Sequence, residues 1–203
     1  YSIYAKEFFN QKFNNAIYDI EQKNRQTDYN VEDQFAWIEV VRDSKELDST
    51  KVKEYENRFT SNATKPHLTF LYAKHNKYLK HYFINPYAQL ISAYPLSRQI
   101  LINAIARQES LFIPSSISTA YAQGVMQIMP FLSKAIAKTI KDEYNIFNMY
   151  KAEYSIKYAN HHLNSLESRF KHPLFIAYAY NGGGGFTRSI LKNGLFEEGR
   201  YEP

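Results

Sequence analysis

Apolar residues recur along most of the chain at intervals of three or four, the spacing that places them on one face of an α-helix. This spacing predicts helices at residues 2–23, 31–42, 44–59, 67–79, 96–109, 130–141, 150–170, 173–180 and 186–192. No stretch alternates strictly between apolar and polar β-branched residues, as a half-buried strand would. The sequence therefore predicts an all-α fold. In the first helix Phe9, Phe13, Ile17 and Ile20 form one apolar face.

The second predicted helix places Phe35, Ile38 and Val41 on its inner face. A domain boundary is predicted near residue 85, because the segment 82–95 contains two prolines and the charge density falls after it. Residues 1–84 then form a helical N-terminal region, for which the end of an α-superhelix is one architecture. Residues 85–203 form a second helical domain.

Composition excludes several classes of function. The chain has no Cys, so it forms neither disulfides nor thiolate metal sites. The net charge of +5 is scattered and no nucleic-acid motif accompanies it, so no nucleic-acid partner is predicted. No apolar run is long enough to span a bilayer. The chain opens Tyr-Ser-Ile-Tyr with no signal peptide, which suggests a processed chain or a fragment.

One carboxylate is isolated. Glu109 is the only acid between Glu56 and Asp142, and it shares a predicted helix face with Leu101, Ile102 and Ile105. Burial among apolar side chains disfavours the ionised form and raises a carboxyl pKa, as a general acid requires. An exposed Glu at a frayed helix end is the alternative.

The polar residues that follow leave two questions open. Gln127 lies among apolar residues, either as a core amide with its hydrogen bonds satisfied or as a recognition group. The four glycines 182–185 exceed what a helix cap needs and allow close approach of backbone or ligand. The pair His161-His162 has no evident partner ligands, and adjacent helical residues point about 100° apart. No metal or other cofactor is predicted.

Three segments together resemble the catalytic domain of soluble lytic transglycosylases. They are Ala-Ile-Ala-Arg-Gln-Glu-Ser at 104–110 with Pro114 and Ser118, Gly-Val-Met-Gln-Ile-Met-Pro at 124–130, and Ala-Tyr-Asn-Gly-Gly at 179–183. Their order and spacing match the family over residues 86–203. The resemblance implies a lysozyme-like helical domain that acts on peptidoglycan glycan strands, preceded by a helical superhelix in the soluble members.

The resemblance also implies roles for individual residues. Glu109 matches the catalytic acid. The positions that match or support the substrate groove are Ser118, Gln127, Met129, Ala179, Tyr180, Asn181 and His162. Four residues depart from the family pattern: Tyr121 replaces a Gly, Val125 a Leu, Gly182 an Ala and His162 a Tyr. Members continue with a further helix, so the domain is expected to be truncated at its C-terminus.

A single catalytic acid suits a reaction in which the substrate supplies its own nucleophile. The expected reaction cleaves the MurNAc-β-1,4-GlcNAc bond and forms 1,6-anhydro-MurNAc, and the expected location is the periplasm, inferred from the substrate. Two alternatives are a hydrolytic muramidase of the same domain type and a non-catalytic peptidoglycan-binding scaffold. The muramidase would need a second carboxylate across the cleft.

Overall fold

The computed structural model describes residues 20, 25–80 and 82–194. The chain divides into two compact units, Tyr1–Pro86 and Tyr87–Pro203. In the described part the regular elements are all helical, with extended pairing limited to isolated bridges. The all-α prediction is therefore confirmed. Of the predicted first helix only the buried Ile20 is described; Phe9, Phe13 and Ile17 lie outside the described residues.

The described part of the first unit contains three α-helices and two short 3-10 turns. They are α1 (Gln34–Asp43), α2 (Ser49–Arg58) and α3 (Lys65–His75), with the turns Ser44–Glu46 and Asn62–Thr64. Aspartates begin two of the helices: Asp33 accepts hydrogen bonds from two backbone N–H groups of α1, and Asp48 accepts one from α2. Pro66 lies in the first turn of α3, where a missing N–H costs nothing.

The inner face of α1 differs from the sequence prediction. Trp37 and Val40 are buried, whereas Phe35 is 79% exposed and Ile38 51% exposed. The assignment of Phe35 and Ile38 to the inner face was wrong. Helix α1 has two apolar stripes. The stripe that contains Trp37, the largest aromatic side chain, packs into the core, and the stripe that contains Phe35 and Ile38 does not.

The core of the first unit is built around a histidine. His67 is fully buried, and its ring lies about 5 Å from the rings of Tyr29, Trp37 and Phe59 (5.2, 5.3 and 5.5 Å between centroids). Among the described residues, neither ring nitrogen of His67 has a hydrogen-bond partner. Aromatic edges and faces thus surround an imidazole that stays neutral.

The described part of the second unit contains six α-helices and one 3-10 turn. They are α4 (Ala88–Ile91), α5 (Leu96–Ser110), α6 (Pro130–Ile140), α7 (Ala152–Glu167), α8 (Pro173–Gly182) and α9 (Gly184–Lys192), with the turn Ile146–Tyr150. Helix α7 is the central element, since it packs against α5, α6 and α8. Its Tyr158 and Leu163 are fully buried beside Met126 and Met149 of the core.

A buried arginine fixes the first turn of α5 on α7. Arg98 lies 2.6 Å from a carboxylate oxygen of Glu167 and donates to the side-chain and backbone oxygens of Asn160 at 2.6 and 3.1 Å. Removing one partner of such a pair leaves a buried charge uncompensated. The contact sets the position of the helix that carries Glu109.

Candidate active site

Glu109 lies one residue before the end of α5, where the backbone takes a rare path. Leu111 and Phe112 follow with φ of +53° and +67°, in the left-handed region that costs a side-chain-bearing residue about 1–2 kcal/mol. The turn is held because Phe112 and Ile113 are buried and because the Tyr87 hydroxyl donates to the Phe112 carbonyl at 2.9 Å. Strain of this kind is concentrated at functional sites.

Ser110 links the end of α5 to the loop 124–129. Its buried hydroxyl donates to the Val125 carbonyl at 2.7 Å, with the Ala106 carbonyl as a second acceptor at 3.2 Å. The family resemblance includes Ser110 in the segment 104–110 but implies no role for it. Its adjacency to Glu109 was the available signal, and its function is to hold the loop beside the acid.

The loop is itself tied to α7 and to the turn before it. Gly124 has φ +75°, and a Cβ at this position would lie 1.9 Å from the Met149 carbonyl oxygen. The Met126 N–H donates to the Ser155 hydroxyl at 3.0 Å, and the Gln123 amide donates to the Tyr150 hydroxyl at 3.1 Å. These contacts make the loop that Ser110 binds a rigid backbone segment.

A cleft of about 450 Å³ opens between α5 and α8. It is lined by Leu101, Ala104, Ile105, Gln108, Glu109, Leu174, Ala177, Tyr178 and Asn181. Among the described lining residues Glu109 is the only ionisable acid, and the floor is mostly aliphatic. The predicted inward orientation of Glu109 thus agrees with its place in this cleft.

The environment of Glu109 favours the protonated form of its carboxyl group. Burial raises the pKa of its carboxyl group, and the hydrogen bond from the Asn181 amide to Oε1, at 3.4 Å, lowers it in part. The net shift is upward, because desolvation is the larger effect. A carboxyl group of this kind donates a proton at higher pH than an exposed glutamate does.

Tyr180 precedes Asn181 in α8, and its ring packs against His162 of α7. The Tyr180 hydroxyl donates to the Met126 carbonyl at 2.8 Å, and burial together with the charge of Glu109 raises the pKa of the phenol, which stays protonated. The His162 ring lies 5.5 Å from the Tyr180 ring, and burial lowers the pKa of the imidazole, aided by Arg169 and His161. Ala179 is 1% exposed, so it acts only through the position of α8.

Ser118, Gln127 and Met129 are not among the residues that line this cleft. The Ser118 hydroxyl accepts from the backbone N–H groups of Ala120 and Ala122 at 3.2 and 3.0 Å. The Gln127 amide donates to the carbonyls of Ser116 and Gly124 at 3.1 and 2.9 Å. Met129 precedes α6 and is half-buried. The amide nitrogen of Gln127 therefore finds its acceptors inside the loop, as the core-amide alternative predicts. The recognition alternative concerns only the amide oxygen.

The unusual Tyr121 occupies a backbone position that favours glycine. Its φ is +67°, and its side chain is 68% exposed. The loop thus keeps a left-handed residue here although the side chain has no packing that would compensate for the strain.

The sequence model described as Transglycosylase SLT domain matches residues 87–200. The chain belongs to the SLT domain family. A provisionally named soluble lytic murein transglycosylase of Haemophilus influenzae is 37% identical over 82 residues, which are 39% of this chain and 14% of that protein.

Solved structures share the fold of the SLT chain. The 70-kDa soluble lytic transglycosylase of Escherichia coli matches with a TM-score of 0.58 and 22% identity, over 96% of this chain and 35% of that one. A complex of the 70-kDa enzyme with bulgecin A matches with a TM-score of 0.66 and 21% identity, over 98% and 36%. An inactive mutant of Slt from Pseudomonas aeruginosa, with Gln in place of a Glu, gives 0.52 and 18%, over 95% and 35%. The chain thus spans about a third of these proteins.

None of the described helices is long and apolar enough to cross a membrane. Within the same described residues, no three His, Cys, Asp or Glu side chains converge as metal ligands would.

Proposed function

We propose that the second unit is the catalytic domain of a peptidoglycan lytic transglycosylase, with Glu109 as its acid. The observation that carries the proposal is a carboxyl group with a raised pKa in the cleft of an SLT domain. The names of the relatives support the same chemistry, and one of the solved relatives is an inactive Glu-to-Gln mutant.

In the first step protonated Glu109 donates its proton to the oxygen that bridges N-acetylmuramic acid and N-acetylglucosamine. The bond from the anomeric carbon of the muramic residue to that oxygen breaks, and the glucosamine leaves with a new hydroxyl group. The neighbouring acetamido group assists the developing positive charge. The raised pKa supplies the protonated form of Glu109 for this step.

In the second step the ionised Glu109 accepts the proton of the muramic 6-hydroxyl. The oxygen of that hydroxyl attacks the anomeric carbon, which closes the 1,6-anhydro ring and returns the proton to Glu109. No water is consumed. The Asn181 amide, which donates to Oε1, stabilises Glu109 in its ionised state between the two steps.

The described part of this unit has four other acids, Asp142, Glu143, Glu153 and Glu167, and two of them are engaged elsewhere. Asp142 pairs with Lys157 at 2.7 Å and accepts from the Tyr158 hydroxyl at 3.2 Å. Glu167 pairs with Arg98. None of these four described acids lines the Glu109 cleft, which favours an internal nucleophile over a water activated by a second carboxylate.

The remaining parts of the proposal concern context. The substrate is the peptidoglycan glycan strand, which Asn181 meets inside the Glu109 cleft. Tyr180, His162, Ser118, Gln127 and Met129 do not line that cleft, and the binding or supporting roles proposed for them are those that the family resemblance implies. A wall-cleaving enzyme of this type acts in the periplasm. The first unit is proposed to be the end of a helical superhelix.

Mass spectrometry of the products released from purified sacculi tests the proposal. The parent chain should release muropeptides that are one water lighter than those from a hydrolase, because the anhydro ring forms without water. Glu109→Gln should lower the rate at least about 100-fold, the lower end of what a general acid contributes. Glu143→Gln, an exposed glutamate of the same unit, is the matched control and should keep the parent rate.

Each other outcome selects an alternative. Reducing-end products would identify a hydrolytic muramidase. Binding to sacculi without product release by the parent chain would identify a peptidoglycan-binding scaffold. Full activity of Glu109→Gln would show that the acid is another residue.

A further inference from the structure

The corner between α8 and α9 carries no side chains, because residues 182–185 are four consecutive glycines. Helix α8 ends at Gly182, Gly183 turns the chain with φ +86°, and α9 begins at Gly184. A Cβ built at Gly183 or Gly185 would meet no atom of the described residues within 4 Å. Internal packing therefore does not explain the glycines at 183 and 185, and the corner leaves free space next to the chain.

Phe186 borders this space. Its side chain is 57% exposed although it belongs to the first turn of α9. A Cβ at Gly182 would lie 2.9 Å from Cδ1 and 3.4 Å from Cε1 of the Phe186 ring. The ring thus lies directly against the backbone of Gly182, a contact that only glycine permits without movement of the ring.

Phe186 is not one of the residues that line the Glu109 cleft, but helix geometry relates its ring to the Tyr178 side of that cleft. Tyr178 and Asn181 of α8 line the cleft. Gly182 follows Asn181 by one residue and Tyr178 by four, so its Cα–Cβ direction differs from theirs by about 100° and about 40°. The ring on Gly182 therefore borders the same helix end whose Asn181 donates to Glu109.

We propose that Phe186 is a carbohydrate-stacking residue at the rim of the cleft, which holds a sugar next to the one whose bond is cleaved. The inference rests on the proposed function. A pyranose presents a face of C–H groups that packs on an aromatic ring, and Phe adds no hydrogen bond of its own. The bare glycine corner leaves the room that a bound sugar needs.

Steady-state kinetics on soluble glycan strands separate this role from catalysis. Phe186→Ala should raise KM about 3- to 10-fold, the range of an aromatic stacking contact, and leave kcat unchanged. Phe186→Trp should restore KM. Phe147→Ala, which removes a ring that is 67% exposed on the turn Ile146–Tyr150, is the matched control and should leave KM unchanged.

A second variant moves the ring without removing it. Gly182→Ala places a methyl group at 2.9 Å from the ring and should displace it, so KM should rise while the melting temperature changes little. The inference is overturned if Phe186→Ala keeps the parent KM, or if Phe147→Ala raises KM as much.

Binding to sacculi keeps the test independent of turnover. In a co-sedimentation assay, the double variant Glu109→Gln with Phe186→Ala should bind sacculi with lower affinity than Glu109→Gln alone. This result is expected even if the parent proves to be a scaffold without activity. Equal binding of the two variants would overturn the stacking role. An inactive parent with weakened binding of the double variant would refute only the catalytic proposal.

Discussion

The two units each bury an ionisable side chain, and the two sites differ in access. His67 of the first unit is enclosed by aromatic rings, and burial lowers its pKa to about 3. Glu109 of the second unit is only half-buried and faces a cleft of about 450 Å³. Desolvation shifts both pKa values toward the neutral form. Only Glu109 can exchange its proton with a ligand.

A shifted pKa is therefore a poor guide to function without an opening beside it. His67 has no hydrogen-bond partner in the part of the chain that the structure describes, whereas Glu109 has an amide donor that favours its ionised state. The means of support differ as well. Side-chain packing holds His67, but the surroundings of Glu109 are held by backbone contacts at Leu111, Phe112 and Gly124.

The largest effect is expected at Gly124. Gly124→Ala puts a methyl group 1.9 Å from the Met149 carbonyl oxygen and should destabilise the second unit by about 3 kcal/mol or more, since overpacking adds to left-handed strain. Gly194→Ala is the matched control, because Gly194 has a similar φ of +64° and no atom within 4 Å of the new methyl. Urea unfolding followed by circular dichroism measures both. Equal losses would show that the backbone contact at Met149 contributes nothing.

The next effect concerns acid stability of the first unit. The folded-state pKa of His67, about 3, lies below the ordinary 6.5, so the unfolded chain binds more protons between these values. Stability should fall by about 2 kcal/mol from pH 7 to pH 5 and continue to fall toward pH 3. The rings that face His67 belong to Tyr29, Trp37 and Phe59, and the guanidinium group of Arg58 lies over the Tyr29 ring.

Trp37 makes this measurement specific, because it is the only Trp of the chain and lies 5.3 Å from the His67 ring. Urea unfolding followed by its fluorescence should show the loss in the parent and a much smaller one in His67→Leu. The exposed His75, replaced by Gln, serves as the control and should keep the parent's pH dependence. An unchanged slope in His67→Leu would place the acid sensitivity elsewhere.

The sequence predicted the parts that depend on local pattern. Helical spacing identified most helices, and the phase of α5 placed Glu109 on an apolar face with a raised pKa. The wrong face of α1 followed from two competing stripes, and only the partners of Trp37 in the folded core decide between them. Local periodicity carries no information about such partners.

Other features depend on contacts distant in sequence. The left-handed turn at Leu111 and Phe112 contains no glycine, so no residue type in the sequence predicts it. The hydroxyl of Ser110 reaches Val125, and the space beside Gly124 is filled by Met149. Likewise, the Gln127 amide donates to the carbonyls of Ser116 and Gly124, which only the folded loop brings within reach. The roles of the site residues in binding and catalysis remain predictions.

A smaller effect is expected from relief of strain at Tyr121. Tyr121→Gly should make the second unit about 1 kcal/mol more stable than Tyr121→Ala, because Ala keeps the left-handed penalty and Gly does not. Both variants lose the same exposed side chain, so the difference isolates the backbone. Thermal unfolding of the two proteins measures it. Equal stability would mean that the loop relaxes away from φ +67°.

The smallest expected change tests the openness of the Glu109 site directly. Asn181→Ala removes the hydrogen bond that lowers the pKa of Glu109 and leaves the desolvation that raises it. A general acid works while it is protonated, so the alkaline limb of the kcat/KM profile should move to higher pH. The same variant should show a lower kcat, because ionised Glu109 loses its amide donor in the second step. Asn193→Ala, at the exposed end of α9, is the control and should keep the parent profile. A shift to lower pH would mean that the amide stabilises the protonated acid, and the site would then resemble the closed environment of His67 more than an open proton-transfer site.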